Sequence, residues 1–146
     1  MRRLRLIESD ARDAFAPIAG GMKIAFATQD LRRIDAHFGE ARHIAIYEVG
    51  ATTHRFLEVV QFDGVGARID AVAGCAMLIT LAIDGAQAAQ VVGKHVYPVK
   101  VTAPEAIIDV IGRVQSMLRG SPSPWLRQLM NRNDVSDQGV RDVGRR

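Results

Sequence analysis

Ala76-Met77-Leu78-Ile79-Thr80-Leu81-Ala82-Ile83 is an almost unbroken apolar run, followed by Asp84-Gly85 and then by Ala86-Gln87-Ala88-Ala89-Gln90-Val91-Val92, which Gly93 ends. The run has the length and composition of a strand covered on both faces, and the segment after Gly85 has helical spacing. His95 to Val101 reads as a further strand, with Pro98 suggesting an edge position. Strand, helix and strand in this order form a right-handed crossover in a parallel portion of a sheet.

Upstream, Asp63-Gly64-Val65-Gly66 is a loop, and Ala67 to Ala73 can make a short helix stopped by Gly74. Two β-branched and aromatic runs precede it, His43 to Val49 and His54 to Phe62, and the short link from Gly50 to Thr53 favours an antiparallel hairpin. Lys23-Ile24-Ala25-Phe26-Ala27-Thr28 is nearly all apolar and belongs in the middle of the sheet. Downstream, Thr102 and Glu105 form a capping-box pattern with Pro104 in the first turn, so the last long helix is expected to open at Thr102. Ile107, Val110, Ile111, Val114, Met117 and Leu118 give that helix an apolar stripe that must lie on the sheet.

The resulting order predicts an α/β domain with a mixed five-stranded sheet, an antiparallel hairpin plus parallel crossover strands, flanked by helices. Ribonuclease-H-like domains have this order. Nucleases of that architecture hold their metals on carboxylates of the first strand, and Lys23 to Thr28 carries none. Residues 1–21 end in Ala19-Gly20-Gly21 and read as an N-terminal extension, residues 22–119 as the folded domain, and residues 120–146 as a linker, a short Trp125-containing helix and a polar tail.

With 146 residues, 48% of them hydrophobic, one core is expected without covalent staples. The single cysteine, Cys75, excludes an internal disulfide and a thiolate-rich zinc or iron-sulfur site, and it suits a reducing cytoplasm. Met1-Arg2-Arg3-Leu4-Arg5-Leu6-Ile7 runs straight into Glu8, Ser9 and Asp10, so neither a secretory leader nor a membrane span is expected. Of 19 basic residues only Lys23, Lys94 and Lys100 are lysine, and this arginine bias fits an anionic ligand or acidic partner. A nucleic-acid reader would want aromatics interleaved with the basic groups, and aromatics make up only 5%. No nucleophile-base set or carboxylate pair suggests an enzyme.

Asp35-Ala36-His37-Phe38-Gly39 is the best site candidate, because it connects two strands and can hold a histidine away from the core. Gly39 suits a sharp or left-handed turn, Phe38 can bury as an anchor, and His37 then points outward. The plainer alternative is a satisfied loop histidine with no ligand. Asp35 either orients the imidazole or starts the turn. His43, His54 and His95 are read as strand-end or surface residues without a role.

Met22-Lys23-Ile24-Ala25-Phe26-Ala27, Asp35-Ala36-His37-Phe38-Gly39, Ile46-Tyr47-Glu48-Val49, Gly74-Cys75, Gly85 and Val99-Lys100-Val101 occur in an order that resembles the dinitrogenase iron-molybdenum cofactor-binding family. Gly120-Ser121-Pro122-Ser123-Pro124-Trp125-Leu126 resembles the tail of a longer branch of that family. The resemblance implies a non-catalytic carrier of the iron-molybdenum cofactor or its iron-sulfur precursor, bound transiently as cargo. Its implied partners are nitrogenase cofactor-assembly proteins: the precursor synthase, an assembly scaffold and apo-dinitrogenase.

In such a carrier His37 is the expected metal ligand. The crevice at the carboxyl ends of neighbouring parallel strands would combine Thr28, the loop with Asp35, Phe38 and Gly39, and the helix start at Gly85 to Gln87. That helix start can attract an anion, and Arg42 could pair with an organic-acid carboxylate of the cofactor; Asp84, where relatives tend to carry a small residue, opposes this. Cys75 is a tentative second ligand, but it precedes its strand while His37 follows the neighbouring one, roughly 20 Å away at 3.3 Å per residue. A folded-back loop or a second chain could bridge that gap; a buried structural thiol is the simpler role. The alternative to a carrier is an interaction module of the same fold, an assembly chaperone that ligates no cluster.

Overall fold

The computed structural model describes residues 2–5, 18, 20–62 and 68–120. Its centre is β2 (Met22–Thr28), whose alternate residues feed two cores. Met22, Ile24 and Phe26 face one side of the sheet; Ala25 and Ala27 face the other. A strand buried on both faces has no polar side to show, which explains the continuous apolar run.

β2 pairs antiparallel with β4 (His43–Val49) along its whole length, and parallel with β6 (Met77–Thr80) through Ile24–Met77, Ala25–Leu78 and Phe26–Ile79. β4 continues into an antiparallel hairpin with β5 (His54–Gln61), and β7 (Tyr97–Lys100) lies parallel to β6 as the edge. Pro98 sits on that edge, as its missing N–H requires. The five expected strands are therefore present in the ribonuclease-H-like arrangement, β5-β4-β2-β6-β7. One correction concerns the N-terminus. Arg2–Arg5 forms β1, a sixth strand antiparallel to β5, so part of the expected extension belongs to the sheet. Four residues, three of them arginine, carry no period that would reveal this. The Trp125 segment and the tail lie outside the described residues.

The helices divide between the faces. α1 (Arg68–Val72) and α2 (Gly85–Gly93) contribute Ala71, Val72 and Val91 to the core that includes Ile44, Ile46 and Val60. α1 is followed by Gly74 in left-handed backbone, φ 93°, a turn that an L side chain rarely adopts. α3 (Ile107–Arg119) covers the other face with Ile107, Val110, Ile111 and Val114. Leu118 packs partly against that core, while Met117 is exposed, so the stripe is shorter than the periodicity suggests.

The expected capping box is not formed. α3 opens at Ile107 behind Ala106, which makes no side-chain cap, because Glu105–Ala106 is a short strand, β8, paired with β3 (Arg33–Ile34). The Ile107 N–H donates to the Arg32 carbonyl at 2.8 Å, and the Glu105 carboxylate takes Arg113 at 2.6 Å instead of turning back to Thr102. The cap that does form belongs to α2, where Asp84 Oδ1 accepts the Gln87 N–H at 2.8 Å. No helix among the described residues is long and apolar enough to cross a membrane.

These two helix starts make a paired test. Asp84→Ala is expected to cost about 1 kcal/mol in urea unfolding, the usual worth of a side-chain cap. Thr102→Ala should stay within about 0.5 kcal/mol, the range of an exposed substitution without a structural task; a larger loss would mean that the capping box forms after all.

Candidate functional site

The loop after β2 is built from its own side chains. Thr28 Oγ1 accepts the Leu31 N–H at 2.9 Å, and Asp30 Oδ1 accepts the Arg32 and Arg33 N–H groups, each at 2.8 Å. These two amides, with the Arg33 guanidinium at 3.0 Å, hold the Asp30 carboxyl down at about 2. Leu31 is held in left-handed backbone, φ 66°. Gln29 ties this turn to the next one. Its N–H donates to Asp35 Oδ1 at 2.8 Å, its Nε2 donates to the Glu40 carbonyl at 3.2 Å, and its Oε1 accepts the Arg42 N–H at 2.8 Å.

The chain then runs beside the end of β6 as if the sheet continued. Leu81 N–H donates to the Ala36 carbonyl at 3.0 Å and Phe38 N–H to the Ala82 carbonyl at 2.7 Å, leaving His37 bridged to Ala82. The buried Thr80 hydroxyl lies 2.9 Å from the Ala36 carbonyl and 3.0 Å from that of Ala82. Phe38 is fully buried with Ala36 and Ala41 around it, and the His37 side chain between them is exposed. The 3-10 turn Phe38–Glu40 closes the loop, with the Glu40 N–H on the His37 carbonyl at 3.0 Å. Below it, the buried Arg68 guanidinium donates from Nε to the Ala41 carbonyl at 3.0 Å and lies 4.7 Å over the Phe62 ring. Burial lowers the Arg68 pKa from its ordinary value.

His37, Gly39 and Glu40 form one side of a crevice of about 300 Å³; Ala82, Ile83, Asp84 and Gln87 form the other. Gly39 turns sharply, within the 3-10 turn and not in left-handed backbone. Its missing Cβ makes room for Gln87, whose Oε1 would stand 3.2 Å from such a carbon.

Several expected site residues fall elsewhere. Thr28 is fully buried and serves the Leu31 turn. Asp35 gives one oxygen to Gln29 and holds the other 3.8 Å from Arg33, so it shapes the turn and does not orient His37. Arg42 is exposed and does not line the crevice; its backbone bonds to Gln29 and Phe62. Gly85 begins α2, but Asp84 already takes an amide of that helix start, which removes the expected invitation to an anion. Cys75 is buried before β6, its N–H on the Val72 carbonyl, while His37 sits beyond the other end of that strand. At 3.3 Å per residue the separation is about 20 Å. His43 stands at the start of β4, half-buried, and its Nδ1 has no hydrogen-bond partner among the described residues.

Glu40, Asp84 and Gln87 face the crevice although only the last two were near the expected helix start. Glu40 had a signal in its position directly after Gly39; Gln29 had none, since a single glutamine does not announce three bonds across a loop. Among the described residues no group of three or more His, Cys, Asp or Glu side chains could hold a metal ion.

The family model described as dinitrogenase iron-molybdenum cofactor matches residues 21–117. Protein NifX of Sinorhizobium fredii is 36% identical over 94% of this chain and 94% of its own, and protein NifX of Herbaspirillum seropedicae is 40% identical over 76% of this chain and 83% of its own. The crystal structure of PH0822 superposes with a TM-score of 0.57 at 20% identity, covering 65% of this chain and 89% of that one. At that identity it shows the fold alone.

Two measurements test the loop. Because Asp30 titrates lower folded than its ordinary 3.8, its contribution is present above that value and is lost as pH falls through about 2. The Arg32 and Arg33 amide shifts should follow that low midpoint, and a midpoint near 4 would refute the bonding. Gln29→Ala should cost about 0.5–1.5 kcal/mol and speed amide exchange across residues 37–42, since it removes the bonds to the Glu40 carbonyl and the Arg42 N–H and leaves both to water.

Proposed function

This chain belongs to the dinitrogenase iron-molybdenum cofactor family, and on that premise we propose that it is a nitrogenase accessory protein that binds and hands on the iron-molybdenum cofactor or its iron-sulfur precursor during cofactor assembly. The observation that carries this reading is the exposed imidazole of His37, held by backbone bonds on both flanks above a buried Phe38 and open to a crevice of about 300 Å³. An imidazole nitrogen is a competent ligand to iron or molybdenum. A loop already fixed in place loses little freedom when the metal arrives.

One protein bond also suits release. A recipient that offers more ligands can take the cluster in a single exchange at His37, with no rearrangement of the sheet. Cys75, at the far end of β6, is a core thiol in this scheme. The donors and recipients are the precursor synthase, the assembly scaffold and apo-dinitrogenase. The carrier works in the cytoplasm, without catalysis, through a cofactor-binding domain of residues 22–119 with the Arg2–Arg5 strand added at the edge of its sheet.

Anaerobic incubation of the full chain with isolated cofactor or precursor should give a coloured complex that survives gel filtration. His37→Ala should weaken binding more than about tenfold, a loss of about 1.4 kcal/mol, and Cys75→Ala less than about twofold. Equal binding by the wild type and His37→Ala would take His37 out of the mechanism. No binding by the wild type, with assembly proteins still retained, would leave an interaction module without cluster ligation.

A further inference from the structure

The crevice is acidic, which an anionic cargo has to contend with. Glu40 and Asp84 line it from opposite sides, and among the described residues no lysine or arginine lines it. The Glu40 carboxylate has no hydrogen bond or ion pair among the described residues, so its charge stands unneutralised beside His37. Asp84 does cap α2. That task needs only a side-chain oxygen, which serine, threonine or asparagine would supply as well, so the cap does not account for the charge. Arg42, the residue that could have received a carboxylate, is outside the crevice.

Resting on the carrier reading above, we propose that Glu40 and Asp84 are specificity determinants: they turn away the carboxylate-bearing face of a metal cluster, so that cargo seats on His37 through a face without organic acid. In a crevice of this size any seated group lies within a Debye length, about 8 Å at physiological salt, of both carboxylates. Repulsion between fixed like charges at such range is worth a few-fold in affinity for each. The organic-acid end of a finished cofactor then points away from α2 and toward solvent, where the receiving protein approaches.

The test is anaerobic equilibrium binding of two probes to the full chain: isolated iron-molybdenum cofactor with its organic acid, and the iron-sulfur precursor that lacks it. Wild type should favour the precursor by roughly tenfold. Glu40→Gln and Asp84→Asn should each narrow that ratio about threefold by gaining affinity for the finished cofactor, and the double variant should bring the two probes within about twofold. High salt should narrow the wild-type ratio in the same way. Asparagine keeps the α2 cap, and Glu40 is exposed, so circular dichroism should show both variants folded. If both probes bind and the ratio is the same in wild type and variants, the proposal is overturned while the carrier stands. If the wild type retains neither probe, the carrier reading itself falls.

Discussion

Parallel pairing of β2 with β6 is the contact on which the rest of this molecule depends. It brings the carboxyl ends of two strands side by side, so that the chain leaving β2 can return at residues 36–38 and bond to residues 81 and 82 beyond β6. That lacing is made of backbone groups and the Thr80 hydroxyl, all satisfied inside the protein. Without the pairing, His37 would ride on an open connection of 14 residues between β2 and β4. With it, the connection is a short continuation of the sheet.

The charges near this loop work at short range. Asp30 and Asp84 both act as acceptors for amides a few residues ahead, the first at a turn and the second at a helix start. Such bonds to ionised groups are among the stronger single contributions available at a surface. The ion pairs contribute less. Arg33–Asp30 and Lys94–Asp70 are solvent-exposed, and pairs of that kind are worth little at physiological salt. Arg55–Glu48, more sheltered across the β4–β5 hairpin, sits next to the Ile18 N–H that also reaches the Glu48 carboxylate.

Much of this was legible before any coordinates. The unbroken apolar run of Lys23 to Thr28 places β2 in the centre, Pro98 places β7 on the edge, and the Phe38-Gly39 pair announces a buried anchor beneath an outward histidine; each is a local signal with a direct physical cause. What escaped depends on partners distant in sequence. Thr102 to Glu105 is a sound capping box read alone, yet pairing of Glu105–Ala106 with Arg33–Ile34 holds the backbone extended there. Arg2–Arg5 becomes a strand because β5 offers a free edge, a fact that no residue in that segment encodes. At the site, Thr28 and Asp35 hold the loop through bonds to Leu31 and Gln29, and Gln29 carries bonds across the loop that a single glutamine does not announce.

The lacing of residues 36–38 has one more implication, since main-chain atoms and the Thr80 hydroxyl do the holding and the side chain at position 37 takes no part in it. The mount is thereby independent of what is mounted. A thiolate or thioether could stand there in the same backbone, with a softer donor reaching into the same crevice. Under the carrier proposal, one scaffold could be retuned among kinds of metal centre by changing a single side chain, leaving the architecture that presents it intact.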